Sequence, residues 1–325
     1  MDRYSPRLLV ALFWTTIALG CKEGEPAASR SAGQRLTGEI KGDGSSTVYL
    51  ITEAMAANFK RQYPEVRISV GISGTGGGFK KFAAGETDIN NASRRIRPAE
   101  QEACRKNGID SLELQVAWDG LSVVVHSENI WARKMTVEQL RKIWHPDTAA
   151  RQWSDVASGW PNEEIRLFGP GPDSGTFDFF TEAVNGKEKL SRKDYLASED
   201  DNIIVQGVAG NRFAVGYFGL AYYEANKDKL GLVAIAAEPS GEYVLPSTES
   251  VLTHTYKPLS RPLLVYVNRA SLKRPEVEEF VRFCLRRSDL VRTAKFIPLT
   301  DRQQLLQQEK FEEAAKAAKG SGLKR

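Results

Sequence analysis

Three cysteines and three histidines in 325 residues leave little material for metal or thiol chemistry. His126, His145 and His254 have no partner at ligand spacing, so they read as structural and a metal centre is not expected. Charge of one sign is also lacking: 45 Lys and Arg stand against 41 Asp and Glu, a formal +4 spread along the chain. A polyanion groove gathers its basic residues, so a nucleic-acid partner is not indicated, whereas attraction of small anions is compatible with the balance. No glycine loop ends in Gly-Lys-Ser/Thr, and the Rossmann glycine pattern is unmet, which disfavours a nucleotide. No Gly-x-Ser-x-Gly elbow with a partner base is present either, so a phosphatase-like enzyme is the weaker reading of the hydroxyl-rich turns, and no cofactor is expected.

What is there is a globular composition, 41% hydrophobic and 26% charged, in a chain long enough for two domains of ordinary size. Its start differs from the rest. Arg3 and Arg7 precede the apolar run Leu8 to Leu19, too short to span a bilayer comfortably but suited to a signal segment over residues 1–20. The run ends Ala18-Leu19-Gly20-Cys21, which resembles a bacterial lipobox whose Cys21 carries the lipid, with Ala18 where Leu is usual. Ordinary secretion with cleavage nearby is the alternative. Residues 21–36 then read as a flexible tether. Of the other cysteines, Cys104 and Cys284 suit either a disulfide, which export permits, or free thiols, since Cys284 lies on the apolar stripe of Val277, Phe280, Val281 and Leu285.

Three turns share one design. Gly42-Asp43-Gly44-Ser45-Ser46-Thr47 leads into Val48, Ile51, Met55 and Phe59 at helical spacing. The alternating strand Val66 to Ile72 runs into Ser73-Gly74-Thr75-Gly76-Gly77-Gly78 and a short helix. A strand over Glu164 to Phe168 precedes Gly169-Pro170-Gly171-Pro172-Asp173-Ser174-Gly175-Thr176 and a helix through Phe177, Phe180 and Val184. Glycines let backbone N–H groups crowd, Ser or Thr caps the helix, and the helix N-terminus carries partial positive charge. Such an end suits an anion; one alone is a weak signal, three in one chain a stronger one. Leu121 to Val125 is a continuous apolar run, a strand buried on both faces of the kind found in parallel sheets. Trp144, Trp153 and Trp160 read as a small satellite core. Further strands at Ala214–Phe218, Leu232–Ala236 and Leu263–Val267 alternate with helices at 202–208, 275–286 and 302–319, which argues for α/β layers.

The order of these turns resembles the phosphate-binding protein of the Pst-type ABC transporter over about residues 38–305, as do Trp118 to Val125, Met135 to Trp144, Asp173 to Phe177, Val215-Gly216-Tyr217 and Tyr256 to Pro262. The resemblance implies a two-lobed periplasmic-binding-protein type II fold, each lobe a mixed sheet flanked by helices, joined by a two-segment hinge. Lobe I would take residues 37–126 and 262–310, lobe II 127–261, with 311–325 a helix end and frayed tail. It implies that Ser46 and Thr47, Thr75 and Gly76, and Ser174, Gly175 and Thr176 bind phosphate. It further implies an extracytoplasmic, lipid-anchored monomer that hands phosphate to a permease with an ATPase; another oxyanion such as sulfate, arsenate or molybdate is the rival ligand.

Two positions depart from the family pattern. Arg94 follows Ala92-Ser93 where well-studied members carry an Asp, and Pro170 stands where they carry an Arg. The cation is thereby expected on the other lobe, with Arg94 as an anion contact and Arg95 facing solvent. The missing carboxylate would accept the proton of a phosphate hydroxyl, which sulfate lacks near neutral pH. Asp43 is the candidate nearest in sequence; the alternative is that Asp43 caps its own turn.

Overall fold

The computed structural model describes residues 36–320 apart from position 173. The expected signal segment, Cys21, nearly all of the tether, Asp173 of the third turn and the end 321–325 lie outside the described residues.

The chain opens with β1 (Gly38–Gly44), α1 (Ser46–Gln62), β2 (Val66–Val70), α2 (Gly74–Ala83), β3 (Ile89–Ala92) and α3 (Pro98–Lys106). It then crosses on the long β4 (Ser111–His126). Beyond the crossing come β5 (Lys134–Thr136), α4 (Val137–Trp144), α5 (Trp153–Val156), β6 (Arg166–Gly169), α6 (Gly175–Asn185), β7 (Leu196–Ala197) and α7 (Asp201–Ala209). They are followed by β8 (Ala214–Gly219), α8 (Leu220–Asn226), β9 (Leu230–Leu232), β10 (Ala234–Ala236) and α9 (Thr248–Leu252). Finally β11 (Ser260–Asn268) returns, and α10 (Pro275–Arg286), α11 (Ser288–Thr293) and α12 (Asp301–Gly320) close the first half.

Nine strands form one mixed sheet in the order β2-β1-β3-β11-β4-β8-β6-β7, with β9 also on β4, while β5 and β10 pair apart from it as a parallel two-stranded sheet. The two halves meet in β4. Its residues up to Gly120 pair with β11, and those from Leu121 pair with β8 and β9. The partner of β4 thus changes between Gly120 and Leu121, and Trp118, Leu121, Val123 and Val125 all enter the cluster around Trp144. Leu121 to Val125 is fully buried as its composition demands, yet it pairs antiparallel with both neighbours. Burial on both faces reports helices above and below a strand; it does not report the direction of the partner.

Two sets of cores result. In lobe I, Val48, Ile51, Met55 and Phe59 of α1 share one core with Val277, Phe280 and Val281 of α10, with Phe59 edge-on to Phe280 at 5.2 Å between ring centroids. Phe311, Ala314, Ala315 and Ala318 join the same core, so the helix expected over 302–319 runs as α12 with its later turns packed there. In lobe II, Trp144 and Trp153 are fully buried in the main cluster and Trp160 packs against it, so the tryptophans are the principal core and not a satellite. Trp144 meets Tyr217 edge-on at 4.9 Å between ring centroids, a favoured aromatic geometry. Cys104 and Cys284 are both free thiols and sit in different clusters. No helix among the described residues is long and apolar enough to cross a membrane.

Candidate functional site

The first turn folds around a close backbone approach. Gly44, at φ +132°, lies so near the Asn91 carbonyl that a Cβ there would collide with it. Ser45 N donates to that carbonyl at 2.9 Å, and Thr52 Oγ1 donates to Asn91 Oδ1 at 2.9 Å. The buried Asn of β3 thus anchors the N-terminus of α1. Ser45 is the N-cap, accepting from Val48 N, which leaves Ser46 and Thr47 in the first turn. A Cβ on Gly78 would strike Gly44, so α2 packs tightly against the same turn. The N-termini of α1 and α2 are held side by side by backbone contact.

The third turn delivers α6 to the opposite side. Ser174 caps it, accepting from Thr176 N at 3.1 Å. Gly175 touches Thr47 directly: any side chain there would overlap Thr47 Oγ1 and its backbone. Two of the three helix N-termini therefore meet across the seam between the lobes.

The residue that joins them was not singled out from the sequence. Arg261, on β11 where the chain recrosses, donates from Nη2 to Thr47 Oγ1 at 2.9 Å and to the Gly175 carbonyl at 3.2 Å. Its Nε donates to Asp119 Oδ2 at 3.2 Å, and its guanidinium lies 3.8 Å over the Phe179 ring. Arg261 faces Asp119 in register between β11 and β4, so both crossing strands contribute one charge. Burial pushes the Asp119 carboxyl up, while the charge and hydrogen bond of Arg261 pull it back. A legible signal did exist. Arg261 and Asp119 are single charges set in apolar strand sequence, Leu259 to Leu264 and Ala117 to Val125, and a charge buried in a strand needs a partner.

Arg94 has a different setting. Both arms of its fork are taken by Glu100, at 2.9 and 2.8 Å. Glu100 also accepts from Arg97 N at 2.8 Å, closing the capping box of α3. Burial pushes the Glu100 carboxyl up, but those donors outweigh it and hold it below the usual carboxylate range. Arg94 Nη2 nonetheless lies within 3.5 Å of where a Gly76 Cβ would stand, so the guanidinium sits over the N-terminus of α2. Thr75 Oγ1 is tied to Ser93, with Oγ–Oγ at 3.0 Å and Ser93 N donating at 3.2 Å. Arg95 is exposed, as expected, 3.9 Å from Glu113.

Asp43 does not aim at the seam. Its Oδ1 accepts from Gly44 N at 2.7 Å and from Ser73 N at 3.1 Å, as well as from the Ser73 hydroxyl, and Oδ2 is held by Lys81. Burial raises its pKa, yet Lys81, Ser73 and Gly44 N together hold it below the usual value. All four contacts belong to lobe I. Asp43 welds the first turn to the second. Among the described residues no cluster of side chains could hold a metal ion.

Two lobes sharing a crossing strand, with helix N-termini and a buried guanidinium at their seam, define the architecture of a solute-binding protein. The profile of the "PBP superfamily domain" matches residues 28–288. The protein SphX of Synechococcus elongatus is 44% identical over 302 residues, 92% of this chain and 88% of its own. The phosphate-binding protein PstS of Staphylococcus haemolyticus is 40% identical over 273 residues, 83% of this chain and 84% of its own. A crystal structure described as "a possible phosphate binding protein" from Planctomyces limnophilus superposes with a TM-score of 0.83 at 47% identity, covering 86% of this chain and 99% of that one. The chain belongs to the PBP superfamily, in the family of the PstS and SphX proteins, whose members are substrate-binding proteins and not enzymes.

Proposed function

We propose that this chain captures inorganic phosphate between its lobes outside the cytoplasmic membrane and delivers it to an ABC permease driven by an ATPase. The observation that carries the reading is Arg261, which donates at once to Thr47 of lobe I and to the Gly175 carbonyl of lobe II. A buried guanidinium at the meeting of helix N-termini suits a compact multivalent anion. The names of the PstS relatives point to phosphate among such anions. Ser46, Thr47, Thr75, Gly76, Ser174, Gly175 and Thr176 supply hydroxyl and backbone donors, and Arg94 adds charge above α2. Because the ligand touches both lobes, it favours the closed arrangement, the state a permease can sense. Cys21 carries the lipid that keeps the monomer at the membrane.

Calorimetry with phosphate, sulfate and arsenate tests the ligand. Phosphate is expected to bind tightest and to raise the melting temperature, by the equivalent of about 2.7 kcal/mol at a hundredfold excess over Kd. Tighter binding of sulfate or arsenate assigns the site to another oxyanion, and no response to any of the three sinks the reading. Cys21→Ala is expected to move the protein from the membrane to the soluble fraction.

A further inference from the structure

The helix that brings Gly175 against Thr47 carries a second group on the same face. Residues 175, 178, 179 and 182 share one side of α6 by helical spacing. Three of them have their contacts fixed: Gly175 meets Thr47, Phe179 lies under the Arg261 guanidinium, and Glu182 pairs with Arg97 of lobe I at 3.5 Å. The fourth is Asp178, on the same face and with its side chain 21% exposed. Its Oδ1 is buried and has no hydrogen-bond donor among the described residues; the nearest cation, Lys189 Nζ, stands off at 3.9 Å. Three other carboxylates near the seam have their donors: Asp43 from Lys81 and the second turn, Glu100 from Arg94, Asp119 from Arg261. A buried acceptor left without a donor is costly, so a site that retains one has a use for it.

The geometry points to Asp178 as the group that accepts the hydroxyl proton of a protonated oxyanion and thereby sets selectivity against fully deprotonated ones. The inference rests on the phosphate reading above. Helical side chains lean toward the N-terminus of their own helix, which carries the Asp178 carboxyl toward Gly175 and the seam. Phosphate keeps a P–O–H near neutral pH and can donate it to Oδ1. Sulfate has no proton there, so its oxygens would face the carboxylate with repulsion and leave Oδ1 an unmet acceptor. Burial, with Glu188 and Glu182 nearby, pushes the Asp178 carboxyl up to about 6 against the opposing pull of Lys189 and Arg261. Tyr217, fully buried on β8, also feels the Asp178 charge, and Arg97 is the cation of lobe I that reaches α6. With that balance, Asp178 takes its own proton as pH falls through about 6 and becomes a donor that sulfate can use.

Sulfate and phosphate binding are measured by calorimetry at pH 8 and pH 5 for the wild type, Asp178→Asn, Asp178→Ser and Asp43→Asn. The wild type is expected to prefer phosphate strongly at pH 8 and to gain sulfate affinity at pH 5. Asp178→Asn should lose at least about tenfold in phosphate affinity and bind sulfate better at pH 8, with its sulfate affinity no longer responding to pH. Asp178→Ser, smaller and uncharged, should show the same loss of selectivity and serves if the Asn variant melts early. Unchanged selectivity and pH response in both Asp178 variants overturn the inference, as does a selectivity change that appears in Asp43→Asn instead. A wild type that binds no phosphate at pH 8 refutes the phosphate reading itself, a separate outcome.

Discussion

Two of the arginine–carboxylate pairs near the seam are built for different ends. Arg261 and Asp119 stand opposite one another on the two strands that cross between lobes, with side chains only 8% and 5% exposed. Arg94 and Glu100 lie within lobe I, each side chain 18% exposed, fork to fork. Arg94 has both arms spent on its own carboxylate. Arg261 meets its acid through Nε alone and turns Nη2 to Thr47 and the Gly175 carbonyl. A charge is useful at a seam when its partner balances burial without occupying every donor. The crossing pair is therefore the one placed to sense both lobes, and the lobe I pair tunes a single helix end.

That contrast can be broken by substitution. The largest effect is expected for Arg261→Ala, which should weaken phosphate binding by at least about a hundredfold and destabilise the fold by about 3–5 kcal/mol, because Asp119 is left buried and unpaired. Pairing Arg261→Met with Asp119→Leu separates the two consequences: denaturant melts should recover much of the stability, while calorimetry finds binding still lost. Arg94→Ala is expected to cost only about tenfold in affinity, the lower end of a charged hydrogen bond. A larger loss there than at Arg261 would reverse the roles assigned to the two pairs.

A smaller effect belongs to Asp43, whose side chain is 6% exposed and whose pKa is held down in the fold by Lys81, Ser73 and Gly44 N against burial. Its contribution is present above the ordinary carboxylate range and is lost as pH falls through the depressed folded value. Asp43→Asn should thus lower stability by about 1–2 kcal/mol at pH 7 and make no difference in strong acid, leaving the anion preference unchanged. The smallest effect is expected at the pair between Arg97 and Glu182, whose side chains are 61% and 31% exposed. Glu182→Gln should shift phosphate affinity by less than about fivefold, with the shift shrinking further at high salt.

Much of this was legible in residue order. Alternation in Val66 to Ile72 foretold a half-buried strand, found as β2, and the spacing of Val277, Phe280 and Val281 foretold the buried face of α10. The three glycine–hydroxyl turns do begin helices at Ser46, Gly74 and Gly175. Other features escaped because they depend on partners distant in sequence. Asp43 was open to two readings in the sequence, acceptor for a ligand proton or cap of its own turn, and its partners Ser73 and Lys81 lie 30 and 38 positions on. Arg261 looked like one more residue of a short motif until Thr47 and Gly175, each more than eighty positions away, were found on its nitrogens. Leu121 to Val125 revealed its burial but not the direction of its neighbours, since hydrophobicity is blind to strand polarity.

The sequence by itself determined the helices, the hydroxyl-bearing turns that begin them and the layered α/β class, because capping and periodicity act over a few residues. Only the tertiary structure decided which charges matter. Pairing of β4 with β11 set Asp119 against Arg261, and the approach of α6 to α1 put Gly175 on Thr47 with Asp178 beside the seam. A carboxylate is spent or available according to the donors that reach it, and those donors arrive from strands and helices far along the chain.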